Sequence, residues 1–546
     1  MLFRSHRYFL AQCFSPNSLS STARNTDTNS GVREEVQKYL AEGVVSLSKG
    51  LMLDWPINAE KPAALTESPT YRYLWHALRP ALSLLVHARE TGSVPALCAA
   101  RDIVNNWLDH SFFSPDSDRK WAWYDHGTAE RLLVLLLMYD LGLRNDFDHR
   151  FMERLRLVIF RHGQLLESEA FYASHQPMRY HNHAWFQDIA LIAAAMAFSD
   201  LPCAERWLAR GVERLEDQFD KLIIRENEYS IFAENSIGYH HGIETLAGFA
   251  SDLVGITGRA SRIPETAEAL NVWSQELLYP DGRSPSQGDT FRRPNPTSVA
   301  NSNPFSAWGK PRCLVLPKAG YAVVKGNDSG SPFAFCMFAT SVNSTHKHED
   351  NLAITLFFDG VEWLIDPSFY SHEYAQPLPA WLRSAHAHNC VAIGDVPYSI
   401  APGNASIVGD GAGMAFYLHG THGAYEGYEV SRNVRGDLER LDIVIEDCVR
   451  LCSAAVGAEG IWLGLHFGEG VRATVAPDGI HLAHPCSRRG LVIACDTENS
   501  VLVEGFTPGQ SRAGATGVGF MQAVDTVSAY VPMTVGQSRQ WRLRTS

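Results

Sequence analysis

Residues 279–312 read YPDGRSPSQGDTFRRPNPTSVANSNPFSAWGKPR. The chain changes character across this stretch. It is rich in Pro, Ser, Asn and Gly, which break helices and strands and build turns. It is the best boundary candidate in the sequence. Before it, apolar residues recur at a helical period. After it, they recur at a period of two.

Residues 204–222 show the first pattern well. Trp207, Leu208, Val212, Leu215, Phe219 and Leu222 fall at helical spacing, with Glu and Arg between them. Similar segments cover 70–90, 97–111, 127–142, 147–166, 183–199, 238–255 and 264–278, with no strand pattern among them. Such a series predicts stacked helical hairpins or an α/α toroid. Beyond residue 313, Leu314–Leu316 and Tyr321–Val324 flank a Lys-Ala-Gly turn. Leu352–Phe358 and Val361–Ile365 flank Asp359-Gly360, a strong hairpin signal. Further strands are expected at 332–339, 440–450, 460–467, 471–476, 491–496 and 501–505, with a turn at Asp478-Gly479. Helices followed by strands indicate an α+β multidomain chain. The expected parts are a disordered leader (1–31), an incomplete α/α toroid ending in the linker (32–312) and an antiparallel β-sandwich (313–546).

The chain has 546 residues, 45% hydrophobic and 20% charged, which suits a globular protein and argues against disorder, collagen or coiled coil. Lys plus Arg is 47 and Asp plus Glu is 60, a net charge of −13. That balance speaks against a nucleic-acid partner, but a local basic cleft for an acidic substrate remains compatible with it. No apolar run reaches the ~18 residues of a membrane span; the strongest, Leu132–Met138, reads as a buried helix. Ten cysteines are too few for a disulfide scaffold and are expected to be mostly buried free thiols. The N-terminus has early basic residues, but its apolar stretch is short and interrupted by Gln12, a poor signal peptide. The protein is therefore expected in the cytoplasm, or exported by an unrecognised route.

Of 22 histidines, several come as close pairs: His181 with His183, His240 with His241, His346 with His348, His386 with His388. Burying many imidazoles requires many partners. His181-Asn182-His183-Ala184-Trp185 stands at a helix start. It reads either as a cap or as a donor pair for an anion, aided by the helix dipole. Glu234-Asn235-Ser236-Ile237-Gly238-Tyr239-His240-His241 stands at another, either capping it or offering Tyr239 for proton transfer. In Thr345-His346-Lys347-His348-Glu349-Asp350-Asn351, entering a strand, residues two apart share a face. Imidazoles with a carboxylate suit zinc, and Asp366 and His388 follow at distances compatible with a two-His, one-carboxylate site. A polar cluster without metal is the alternative. Arg131 and Arg383 read as binders of acidic groups or as structural ion pairs. No phosphate loop and no Gly-x-Ser-x-Gly elbow occurs, which disfavours nucleotide and serine-hydrolase chemistry.

Taken in order, Asn182-His183-Ala184-Trp185, Glu234–His240, Gly288-Asp289, His346-x-His348-x-Asp350, Asp366-Pro367 and His388-Asn389 resemble the heparinase II/III-like polysaccharide lyases, a family that includes alginate, heparin and heparan lyases. The resemblance covers roughly residues 60–510, and Tyr239 follows His183 by 56 residues, which looks like the family's spacing. It implies an α/α toroid followed by an antiparallel β-sandwich, and β-elimination at a uronic acid. It places Asn182 and His183 at the uronate carboxylate. Tyr239 is implied as the acid, and also as the base when proton and leaving group lie on the same face, and His346 as the base for the opposite stereochemistry or as the residue that keeps Tyr239 poised. His348, Asp366 and His388 are implied as ligands of a structural zinc. The implied partner is an acidic polysaccharide or oligosaccharide, with no nucleic acid and no membrane span; a homodimer is compatible with the sequence. Rival readings are a glycoside hydrolase on the same toroid, a non-catalytic glycan-binding or assembly protein, and a zinc hydrolase using His346, His348 and Asp366.

Overall fold

The structure is a computed structural model that describes residues 36–42, 44–48, 51–54, 69–113, 119–172, 179–292, 310–453 and 460–546. The expected leader and the second half of the Pro-rich segment lie outside the described residues. The chain forms two compact units. One comprises the described residues up to Ile223 together with Gly242–Ala269, and the other comprises Ile224–His241 together with Leu270–Ser546. Among the described residues, 224–241 and 270–292 go with the sheets.

The helical unit has two kinds of helix. Asp125–Arg144 and Asn182–Ala197 are buried on nearly every side. His149–Glu167 and Ala204–Leu222 bury one apolar stripe and expose charged residues on the other face. Asn182–Ala197 packs against both Asp125–Arg144 and Ala204–Leu222, and Asp125–Arg144 also packs against His149–Glu167. An inner set buried all round beneath an outer amphipathic set is the layering of an α/α toroid. Packing is close: a Cβ on Gly163 would lie 2.3 Å from the Trp207 ring.

The expected helix over 70–90 is two helices, Pro69–His76 and Arg79–Thr91. Pro80 lacks an N–H, and its ring would clash with the His76 carbonyl in a continuous helix. Leu78 adopts φ 59° between the two helices. The His76 carbonyl accepts instead from Arg131 Nη1 at 2.5 Å. Two short hairpins interrupt the helical pattern where none was expected, Val44–Ser48 with Leu51–Asp54 and Ile223–Glu226 with Tyr229–Phe232. Strands of four or five residues are too short to mark the hydrophobic period. The second hairpin turns at Asn227, φ 54°, a conformation Asn tolerates.

In the sheet unit, Arg312–Leu316, Tyr321–Asp328, Ser331–Phe338, Ile354–Phe358 and Val361–Leu364 form a five-stranded antiparallel meander. Asp359 and Gly360 have φ 49° and 81°, as the expected Asp-Gly hairpin requires. An eight-stranded sheet runs in the order 405–412, 415–422, 428–437, 442–451, 538–545, 491–494, 479–483, 472–476. A four-stranded sheet has the order 391–393, 461–466, 527–533, 501–504. Phe335, Leu356 and Trp363 from the meander share one buried cluster with Leu418, Val434, Ile445 and Leu543 from the large sheet and Leu463 and Val531 from the smaller one. Each such side chain contributes about 1.5–3 kcal/mol through burial. This is the expected β-sandwich core.

Nine cysteines are described and all are free, but only Cys336 and Cys390 are buried, fewer than expected. Among the described residues no helix is long and apolar enough to cross a membrane.

Candidate functional site

In the sheet unit the site is built where three chain segments meet. Ser236 caps the helix Ile237–Thr257, its Oγ accepting from Tyr239 N at 3.2 Å. This fixes Tyr239 in the first turn. The Gly238 amide donates to Thr290 Oγ1 at 2.8 Å. Asn235 donates through Nδ2 to the carbonyls of Asn343 and Thr345, at 2.8 and 3.1 Å, so the loop before His346 is tied to the helix start. Gly288 closes the arrangement. Its φ is +68°, and a Cβ there would stand 2.2 Å from the Asn235 carbonyl oxygen, so only glycine fits. His346 itself has φ 54°, an uncommon conformation for a non-glycine residue.

The result is a compact constellation. The Tyr239 ring stacks on the His346 ring with centroids 3.5 Å apart and planes 20° from parallel. His346 Nδ1 lies 2.7 Å from Asp289 Oδ2. His346 Nε2 faces Glu234 Oε2 at 3.5 Å. Asp289 is a hub: its Oδ1 also meets His348 Nε2 at 2.9 Å and accepts from Tyr374 OH at 2.9 Å. Burial alone would raise the Asp289 carboxyl. Hydrogen bonds from His346 and His348, and their charge, outweigh burial and hold it well below the usual carboxylate range. His346 and His348 do face one partner, as residues two apart were expected to, but from a loop rather than a strand entrance. Glu234 and Asp289 stand in the quoted motifs without a role assigned to either, and His372 and Tyr374 are not among the expected site residues. Asp289 lies 57 residues from His346, and only the fold pairs them.

The expected metal set lies in the same unit. His388 Nδ1 is 3.0 Å from Asp366 Oδ2, and the His348 and His388 rings are 5.4 Å apart. His388 is kept in place by its neighbour Asn389, which donates to Ile354 O and Ile365 O and accepts from His466 N. His348 Nδ1 and His388 Nε2 are buried with no hydrogen-bond partner among the described residues. Two bare imidazole nitrogens fit a cation such as zinc. Asp366, however, engages the far nitrogen of His388 and so orients that ring. The one group of ligand atoms within 4.8 Å of each other among the described residues is a different one: Asp289, His346 and His372.

In the helical unit, Asn182 and His183 open the helix Asn182–Ala197, and His181 caps it through Nδ1, accepting from His183 N at 3.3 Å. His183 Nδ1 is 3.3 Å from Asp125 Oδ1. Its ring lies 4.5 Å from that of His126 and 4.4 Å from that of His181. Burial, then the charges of His183, Arg79 and His181, push His126 well below its usual range. Beneath it, Glu130 accepts from Tyr73 OH at 2.6 Å and from Arg79 at 2.5 Å.

Arg131 is no surface binder. It is fully buried and donates to His162 Nε2 (2.9 Å), His76 O (2.5 Å) and Ala122 O (2.8 Å) beneath the Trp107 ring. Among the described residues no carboxylate pairs with it, so the ion-pair alternative is also corrected: carbonyls and an aromatic face hold the charge. Arg383 is half-buried, stacks on Tyr374 at 4.7 Å and donates to Lys347 O at 3.1 Å. It therefore stands beside the Asp289 hub. His240 and His241 are satisfied internally by Phe232 N, Ser274 and Ser284.

Inner and outer helix layers joined to an antiparallel sandwich, with a Tyr–His–Asp cluster, define an α/α-toroid and β-sandwich protein. Residues 310–517 match the family model described as Heparinase II/III-like, C-terminal. Solved structures share the fold across both units. Heparinase III aligns with a TM-score of 0.75 at 14% identity, covering 100% of this chain and 90% of the other. The heparan sulfate lyase HepC from Pedobacter heparinus aligns with a TM-score of 0.64 at 14% identity, covering 94% and 83%. The heparinase III BT4657 gene product gives 0.66 at 12%, covering 94% and 84%. No curated protein matches by sequence.

Proposed function

We propose that the protein is a polysaccharide lyase that cleaves a uronate-containing glycan by β-elimination. The carrying observation is the Tyr239–His346 stack with His346 bound to Asp289. The likeness to heparinase III and to a heparan sulfate lyase supports an acidic polysaccharide as substrate.

The reaction removes the C5 proton beside the carboxylate and expels the C4 oxygen, leaving a C4=C5 double bond. Three demands follow. The carboxylate must be neutralised so that charge spreads into an enolate-like state, a task for hydrogen-bond donors. A base must reach C5, and an acid must reach the leaving oxygen. Asn182 and His183 are assigned the carboxylate. Tyr239 is assigned protonation of the leaving oxygen. His346, with Nδ1 engaged by Asp289, offers Nε2 as the base, or else assists Tyr239 in both transfers when proton and leaving group share a face. Asp289 fixes the His346 ring and its tautomer, as a carboxylate orients a catalytic imidazole elsewhere. Arg383 is assigned further acidic groups of the substrate.

His348 and His388 would hold a divalent cation such as zinc, with Asp366 beside them. When bound, the ion would tie the 345–351 and 385–389 loops together and add stability. Product analysis tests the proposal. Proton NMR of the digest is expected to show a vinylic C4 proton on the new end. Saturated ends carrying an added water would instead mark a hydrolase.

A further inference from the structure

We propose that Asp289, His346 and His372 form a second cation site, distinct from the His348–His388 pair, which takes a transition-metal dication such as Zn2+ and by doing so withdraws His346 from proton transfer. The binding claim stands on geometry alone; the inhibitory consequence rests on the catalytic reading given above.

Each residue offers one ligand atom, and these lie within 4.8 Å of one another. Asp289 Oδ2 is 2.7 Å from His346 Nδ1 and 3.6 Å from His372 Nδ1. Donors around a tetrahedral zinc, at bonds of about 2.0–2.1 Å, stand roughly 3.3 Å apart. The two separations straddle that value, so small side-chain shifts complete the geometry. Two imidazoles and one carboxylate suit zinc and its neighbours better than magnesium or calcium.

The site is also supported from behind. Asp289 Oδ1 is held by His348 and Tyr374, and the Tyr374 hydroxyl also reaches Oδ2 at 3.1 Å, a contact that Oδ2 exchanges for the ion while Oδ1 keeps the carboxylate in place. His346 is fixed by its pinned loop. His372 marks the entrance, because its side chain is 52% exposed while those of Asp289 and His346 are 1% and 13% exposed. A cation entering there takes the Nδ1 lone pair of His346, and the single proton of the neutral ring moves to Nε2, the nitrogen that would otherwise accept the C5 proton. An imidazole locked to a metal through Nδ1 and aligned by it can no longer cycle as before. Zinc is thus expected to be a reversible inhibitor, in contrast to the stabilising ion of the neighbouring pair.

The test uses the full chain, stripped of metal and titrated with zinc chloride by isothermal calorimetry. Cobalt(II) absorption serves as a second readout, and each rate is normalised to that variant's own metal-free rate. Wild type is expected to take up one ion at the His348–His388 pair and a second, weaker ion. His372→Ala is expected to weaken the second event by about tenfold or more, lose its cobalt band, and shift zinc inhibition upward by the same factor. His372 is exposed, so the variant folds. An unchanged second event in His372→Ala overturns the site. A lost second event with unchanged zinc inhibition keeps the site but overturns its inhibitory role. If no lyase activity exists on any substrate, the calorimetric and cobalt arms still decide the binding claim.

Discussion

The ring of Tyr239 lies flat on the ring of His346, with centroids 3.5 Å apart. One ring comes from a helix start and the other from a loop, and the Asn235 and Gly288 contacts hold both in register. Removing the phenol hydroxyl keeps the stack and deletes the acid. Tyr239→Phe is therefore expected to lower turnover by about 10²–10⁴-fold, the usual worth of a positioned acid or base. Its Tm should move by no more than about 2 °C, because the residue is only partly buried and one hydroxyl contributes about 1 kcal/mol or less. Thermal unfolding beside a rate assay checks both. A large fall in Tm would recast Tyr239 as a packing residue.

Asp289 meets His346, His348 and Tyr374 at once. Asp289→Asn keeps the shape but removes the charge and one acceptor. The expected result is a fall in kcat of about 10²-fold with KM nearly unchanged, because the His346 tautomer is no longer fixed. A stability loss of about 1–3 kcal/mol should accompany it. Steady-state kinetics separate the two effects: a changed KM with normal kcat would make Asp289 a substrate contact instead.

Arg131 is bound by two backbone carbonyls and a histidine in the helical core. Arg131→Met fills much of the same space but strands those acceptors. A loss of about 2–4 kcal/mol is expected, with KM of the folded protein unaltered. Normal Tm together with a raised KM would restore a substrate role.

Glu169 accepts from Arg214, Arg179 and Arg210. Burial alone would raise its pKa, yet hydrogen bonds from Arg214 and Arg179 outweigh this and bring it to about 2 from an ordinary 4.5. A folded pKa below the unfolded one stabilises the fold above the unfolded value. That stability drains away as pH falls from about 4.5 towards about 2. The side chain is half exposed, so the effect is modest. The Tm gap between wild type and Glu169→Gln is expected to hold above about pH 5 and to narrow from there down to about pH 2. A constant gap would contradict the linkage.

Much of this was legible in the sequence because period is a strong signal over long segments. Trp207, Leu215 and Phe219 mark one helical stripe, and the Asp359-Gly360 turn pins a hairpin. The short hairpin Ile223–Phe232 and the strands over 405–437 were not legible; the first is too short, and the second is interrupted by Gly409, Gly411 and Gly420. Tyr239 and His346 stand out as polar clusters at breaks in apolar pattern. The hub role of Asp289 does not, since its partners converge only in three dimensions. His372 and Tyr374 occupy a loop with no pattern at all. Arg131 misled because a buried arginine capped by carbonyls reads, in sequence, like one waiting for a carboxylate.

The central claim is elimination at a uronate, and ultraviolet absorbance tests it most directly. The purified chain is incubated with heparan sulfate, heparin, alginate, hyaluronate, chondroitin and polyglucuronate. A steady rise from the conjugated unsaturated uronate on at least one polymer is expected, and its absence with Tyr239→Phe. New saturated reducing ends with flat absorbance would contradict the lyase and make the protein a hydrolase.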